Sequence, residues 1–200
     1  MGYKAAIQAL TKANLEANQI DMIIVATTTP DNIFPSTATK IQAKLGIKNA
    51  FAFDVQAVCS GFVYALTIAD KFIKTFAAKN ILVIGAETMS RIMNWQDRNS
   101  CVLFGDGAGA VILSAQQEGS SDIIASKLHS DGNYYDILNT SGGPSISGGA
   151  GQITMQGKEV FKHAVTKMAS AINEICQIAD ISLDEVKLIV PHQANQRILD

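Results

Sequence analysis

Phe51-Ala52-Phe53-Asp54-Val55-Gln56-Ala57-Val58-Cys59-Ser60-Gly61-Phe62 is the stretch on which the fold of this sequence turns. Phe51–Val55 reads as a short strand. From Phe62 onward the apolar residues Phe62, Leu66, Ala69, Phe72, Ile73 and Phe76 fall at helical spacing, which predicts a helix reaching Lys79. A strand that runs straight into an amphipathic helix is the repeating unit of an α/β protein.

The same rhythm extends in both directions. Upstream, an amphipathic helix with Ile7 and Leu10 on its apolar side runs to about Leu15, and Met22–Thr27 is an unbroken apolar strand. A turn at Pro30, Asp31 and Asn32 leads to a helix from Ser36 to Leu45, with Ser36 suited to the N-cap and Gly46 to the stop. Downstream, Ile81–Gly85 and Ala108–Ser114 read as strands. Strands apolar on both sides, alternating with helices, predict a sheet covered on both faces. Ser141–Gln152 interrupts the pattern with five glycines, three serines and a proline, and is expected to be loop. Beyond it, Val160, Phe161, Val165, Met168, Ile172 and Ile175 mark a long helix and Val186–Val190 a strand.

Composition narrows the function classes. With 48% hydrophobic and 17% charged residues the chain is built to fold. A net charge of −2 offers no basic surface for a polyphosphate, so nucleic acid is not an expected partner. No apolar run reaches the ~18–20 residues of a membrane helix, and insertion into a membrane is not expected either. Three widely spaced cysteines suit neither a zinc site nor a disulfide framework, and point to a reducing cytoplasm.

Cys59 stands where the Phe51–Val55 strand meets its helix. A free thiol titrates near ~8.5, and a helix N-terminus, with unpaired N–H groups and partial positive charge, favours the thiolate. Gly61 lets backbone or substrate come close. Two readings remain open on local sequence alone: a nucleophile, or a buried cysteine acting as a small hydrophobe. Cys176, four residues after Ile172 on an apolar helix face, and Cys101, at the head of Cys101-Val102-Leu103-Phe104, both read as packing. Of the three histidines, His163 reads as surface and His129 as a partner of a turn. His192 follows the Val186–Val190 strand directly, where open α/β sheets place their sites. Gly105-Asp106-Gly107-Ala108-Gly109-Ala110 fits a loose dinucleotide pattern, but the strand-like residues after it supply no helix N-terminus, so a tight turn is expected there.

Three motifs in this order and separation carry a family resemblance: Asp54-Val55-Gln56-Ala57-Val58-Cys59-Ser60-Gly61-Phe62, Phe104-Gly105-Asp106-Gly107-Ala108-Gly109-Ala110 and Pro191-His192-Gln193-Ala194-Asn195-Gln196-Arg197. Together they resemble the β-ketoacyl-acyl-carrier-protein synthase III family across essentially the whole chain. The resemblance implies a thiolase-like fold with αβαβα layers, whose N-terminal half is nearly complete here and whose C-terminal half is truncated. Residues 1–140 would form the first half, 141–152 the connecting loop and 153–200 the start of the second.

The resemblance also implies a chemistry. Cys59 would take the acyl group of an acyl-CoA primer, usually acetyl-CoA, and His192 would stabilise the enolate formed when malonyl-acyl-carrier protein loses carbon dioxide. The product would be a 3-oxoacyl-acyl-carrier protein, the first step of fatty-acid synthesis. No cofactor is implied, since acyl-CoA is a substrate, and a homodimer is. The resemblance further implies that Phe34 reaches a partner's acyl pocket, that Met89 and Phe104 line the primer pocket, that Arg98 packs on the adenine of CoA, and that Arg197 lies near the carrier-protein docking surface. A catalytic asparagine in a Gly-Asn-Thr-Ser segment and an N-terminal strand with its CoA-binding tryptophan are missing. Asn195 and Trp95 belong elsewhere in the pattern. The chain is therefore expected to be an internal fragment that condenses poorly alone. A related condensing enzyme with another primer, or a non-catalytic acyl- or CoA-binding remnant, are the alternatives.

Overall fold

At the centre of the sheet lies β1 (Met22–Ala26), five residues with no exposed member. It runs parallel to β2 (Phe51–Val55) on one side and to β3 (Asn80–Thr88) on the other, and β4 (Asp106–Ser114) closes the far edge antiparallel to β3. Side chains alternate across a strand. Ile23 and Val25 thus face a layer formed by α1 (Gly2–Ala13) and α2 (Thr37–Leu45), with Ala6, Leu10, Ala38 and Ile41. Met22, Ile24 and Ala26 face α3 (Gly61–Lys74) through Ala65 and Ala69. Burial on both sides is why β1 and Ile81–Ile84 are uninterrupted apolar runs. This computed structural model describes residues 1–116 and 122–199.

Helix ends follow the expected chemistry with one exception. Ser36 Oγ accepts from the Thr39 N–H at 3.2 Å, and Gly46 closes α2 in the left-handed region at φ 70°. The helix expected to reach Lys79 stops at Lys74. Phe76, spaced as a core residue, lies at φ 59° and is 94% exposed. The chain has to reverse before β3, and the N–H groups of Ala77 and Ala78 close the helix on the Phe72 carbonyl. The expected tight turn at Gly105–Ala110 is likewise corrected. β4 begins at Asp106, pairing Gly107 with Glu87 and Gly109 with Gly85, so a strand and no helix follows Gly105.

These elements make up a first compact unit, Met1–Thr88 with Asp106–Ile123; Met89–Gly105 and Ile124–Asp200 form a second. The second unit has a small core of Met89, Ile92, Met93 and Ile153. It carries a hairpin of β5 (Leu138–Thr140) and β6 (Ile153–Met155), then the 23-residue α4 (Gly157–Ala179) and the short α5 (Gln196–Leu199). The Gly- and Ser-rich stretch is loop, tied at its ends where the Ser141 N–H donates to the Gln152 carbonyl at 2.9 Å. At Gly151, φ is 68° and a Cβ would collide with the Gly142 backbone, so only glycine fits.

The strand expected at Val186–Val190 is not formed. A strand needs a neighbour to satisfy its backbone, and no described strand pairs with this segment, so Leu188 and Val190 stand 77% and 75% exposed.

Candidate active site

Cys59 is positioned by three constraints that meet at the carboxyl ends of the parallel strands. In register, Ala26 of β1 stands level with Val55 of β2 and Gly85 of β3, so β1 and β2 end at one rim, past which β3 runs on to Thr88. The Thr27 N–H extends the pairing to the Val55 carbonyl at 3.1 Å. The chain then makes a single tight turn, Val58–Ser60, directly ahead of α3. A Cβ on Gly61 would lie 3.3 Å from that of Ala26, so glycine is what lets the start of α3 settle on the end of β1.

Val58, immediately before the thiol, has φ 46°. A β-branched residue in the left-handed region costs of order 1–3 kcal/mol and persists where its surroundings dictate it, a pattern that clusters at functional sites. Asp54 supplies part of that dictation. Its two carboxylate oxygens accept from the Thr37 and Ala38 N–H groups at 2.7 and 2.8 Å, capping α2 and locking β2 to it.

The electrostatics of the thiol run opposite to the sequence expectation. Cys59 retains solvent access, yet its pKa is raised above the ordinary thiol value. Loss of solvent around the sulphur is the main cause, a backbone hydrogen bond opposes it, and the negative charge of Glu87 adds to it. The net shift favours the protonated thiol.

Glu87 is the residue that sequence reasoning missed. Its carboxylate accepts from the Thr28 N–H at 2.8 Å, the Thr29 N–H at 3.1 Å and the Thr29 hydroxyl at 2.5 Å. A signal for it existed: an acidic residue just past an apolar strand, where sheet sites lie.

Phe34 also belongs to the first unit, in the bend ahead of α2, and is 82% exposed. The other expected site residues, Met89, Arg98, Phe104, His192 and Arg197, belong to the second unit. Of these, Met89 and Phe104 are brought together in the cluster of Ile92, Met93 and Ile153, with Cys101 packed beside them. Arg98 is exposed, as is Trp95. His192 is exposed in the segment after Val190, not at a strand end, and Arg197 lies in α5, where the Asn195 side chain accepts its N–H at 3.0 Å.

The remaining cysteine and histidines have structural partners. Cys176 is buried on α4. His129 pairs with Glu174 at 2.6 Å, holding that carboxyl below its ordinary range. His163, expected at the surface, is packed against the Tyr134 ring, with centroids 3.8 Å apart. Among the described residues no three His, Cys, Asp or Glu side chains gather to hold a metal ion.

Comparison with known proteins converges on one family. Residues 53–132 match the family model of 3-oxoacyl-[acyl-carrier-protein (ACP)] synthase III. The chain is 57% identical over its full 200 residues to the β-ketoacyl-[acyl-carrier-protein] synthase III of Ehrlichia canis, and 52% identical over 98% of its length to that of Paramagnetospirillum magneticum. It spans 63% and 62% of those two proteins. Among solved structures, the 3-oxoacyl-[acyl-carrier-protein] synthase III of Aquifex aeolicus superposes with a TM-score of 0.92 at 47% identity, covering 99% of this chain and 62% of that one. The fold is thiolase-like, and the chain belongs to the 3-oxoacyl-[acyl-carrier-protein] synthase III family.

Proposed function

We propose that the chain is the nucleophile-bearing part of an enzyme that condenses an acyl-CoA primer with malonyl-acyl-carrier protein, beginning fatty-acid synthesis. The observation that carries this reading is Cys59 on a strained turn at the carboxyl ends of parallel strands, inside the segment matched by the family model. Cys59, as thiolate, attacks the thioester carbonyl of the primer, with acetyl-CoA the expected one. The tetrahedral intermediate collapses with loss of the CoA thiolate, leaving an acyl-cysteine. Malonyl-acyl-carrier protein then loses carbon dioxide, and the electron pair of the broken C–C bond forms an enolate. His192 donates a hydrogen bond to the developing oxyanion. The enolate carbon attacks the acyl group, Cys59 leaves as thiolate, and a 3-oxoacyl-acyl-carrier protein results. No cofactor takes part.

Other roles follow from the family. Phe34, an aromatic that is largely solvent-exposed, reaches the acyl pocket of a second copy in a homodimer. Met89 and Phe104, packed in one cluster, line the primer pocket and limit acyl length. The exposed guanidinium of Arg98 stacks on the adenine of CoA, and that of Arg197 meets the carrier protein. The two halves of the fold divide at 141–152, and the enzyme works in the cytoplasm.

The relatives are longer, and one enolate-stabilising donor is often worth ~10²–10³ in rate. The 200-residue chain is therefore expected to take an acyl group more readily than to condense it. Incubation with acetyl-CoA followed by intact-mass measurement tests the proposal. One acetyl group is expected on the protein and none on Cys59→Ala. No adduct on the wild type, or an adduct that survives the substitution, would sink it.

A further inference from the structure

Beyond the nucleophile itself, the corner of the sheet around it contains an arrangement that stability alone does not explain. Glu87, next to last in β3, spends its carboxylate on the exit of β1, through the Thr28 and Thr29 N–H groups, the Thr29 hydroxyl and, at 3.5 Å, the Thr27 hydroxyl. The Thr29 oxygen in turn accepts from the Thr88 N–H at 2.7 Å, so the contact is closed from both sides. Among the described residues Glu87 has no cationic partner. The Thr28 hydroxyl, buried at the same corner, has no hydrogen-bond partner there, a feature that calls for an explanation other than packing.

The corner lies against the nucleophile. Ala26, two residues before Thr28, is what Gly61 rests on, and Gly61 is two residues after Cys59. Thr27, one residue before Thr28, is bonded to the Val55 carbonyl on the strand that leads to Cys59. We propose that Glu87 is a positioning residue for Cys59: by clamping the Thr27–Thr29 exit of β1 to the end of β3, its carboxylate holds the rim on which the thiol stands. This rests on the reading of Cys59 as the acyl acceptor.

A neutral or cationic group would clamp less well. Four donors converge on one side chain, the Thr27 hydroxyl at 3.5 Å among them, and a carboxylate is the only one with enough acceptor sites for all of them. The cost is a negative charge near a group that must ionise to react. Glu87 is the charge felt by the Cys59 thiol, and Asp54, the other carboxylate on these strand ends, is engaged by the N-terminus of α2. Geometry and charge therefore pull in opposite directions, and this makes the role separable from simple support of the fold.

The test is Glu87→Gln, which keeps shape and one acceptor but removes the charge and the other acceptor. Cys59 is followed by iodoacetamide alkylation across pH and by acyl transfer from acetyl-CoA. The alkylation midpoint is expected to fall by about half a pH unit, while acyl transfer slows about tenfold although more thiolate is present. A midpoint that does not move, or acyl transfer at the wild-type rate, overturns the proposal. Thr29→Ala covers the case in which Glu87→Gln does not fold: it keeps the charge and breaks the clamp. It should slow acyl transfer about tenfold with the midpoint in place, and a wild-type rate overturns the proposal equally. If the wild type takes no acetyl group at all, the proposed function fails. The clamp is then judged by the Glu87→Gln midpoint alone.

Discussion

The rim that carries Cys59 and the segment that carries His192 are built on opposite plans. Around Cys59, strands β1 and β2 end level with one another beside β3, which runs on to Thr88, and Asp54 and Glu87 tie the strand exits to backbone N–H groups of neighbouring segments. Around His192 the backbone from Val186 to Asn195 forms no helix or strand, is unpaired with any described strand, and exposes Leu188 and Val190. The first can hold a strained turn at Val58 because its surroundings leave the chain no alternative. The second has apolar residues but nothing to bury them against. A reactive side chain is placed by the shell around it, and the two regions differ in shell rather than in residue type.

The contrast can be broken most directly by truncating one apolar side chain in each region. Ile24→Ala, at a fully buried position of β1, should cost about 2–5 kcal/mol in denaturant unfolding. Val190→Ala should stay within about 0.5 kcal/mol. Equal losses would mean that this segment is packed after all. A smaller effect is expected at Gly61→Val, which pushes new atoms against Ala26, only 3.3 Å from the first of them. About 1–3 kcal/mol should be lost, with acylation of Cys59 falling alongside. Unchanged acylation would show that α3 can shift without moving the thiol.

The smallest effect is electrostatic. Because the folded pKa of Cys59 is raised, the folded state keeps its proton where an unfolded thiol has begun to lose it. Stability from this source is complete below the ordinary thiol value of ~8.5 and declines as pH rises through the folded one. Cys59→Ser should therefore flatten the fall of the unfolding midpoint above that value. An unaltered slope would place the cause elsewhere.

Most of the first unit is legible from the sequence because its signals are redundant. Met22–Ala26 and Ile81–Ile84 are apolar on both faces, and Ser36 and Gly46 bracket α2 by their own chemistry. The same residues misled where one signal stood alone. Phe76 keeps helical spacing past the point where the backbone must reverse. Val186–Val190 has a strand's composition, but composition cannot supply a neighbour. β5 and β6 are three residues each, too short for any periodicity. At the candidate site, the place of Cys59 between β2 and α3 could be read from the sequence. The direction of its pKa could not, because the loss of solvent around the sulphur, with the charge of Glu87 adding to it, comes from the packing of several strands and a helix-terminus argument considers only local backbone.

The clamp also bears on when the site comes into being. Thr28 and Glu87 are 59 residues apart in the chain, and the two strands they join, β1 and β3, are connected through β2 by parallel crossovers. Such long-range closures form late, after the loops between them have lost their freedom. During synthesis Cys59 is added to the chain before Glu87, and the rim cannot close until both have left the ribosome. The thiol is thus made early and positioned late, and during that interval it is a free cysteine with no rim to govern it.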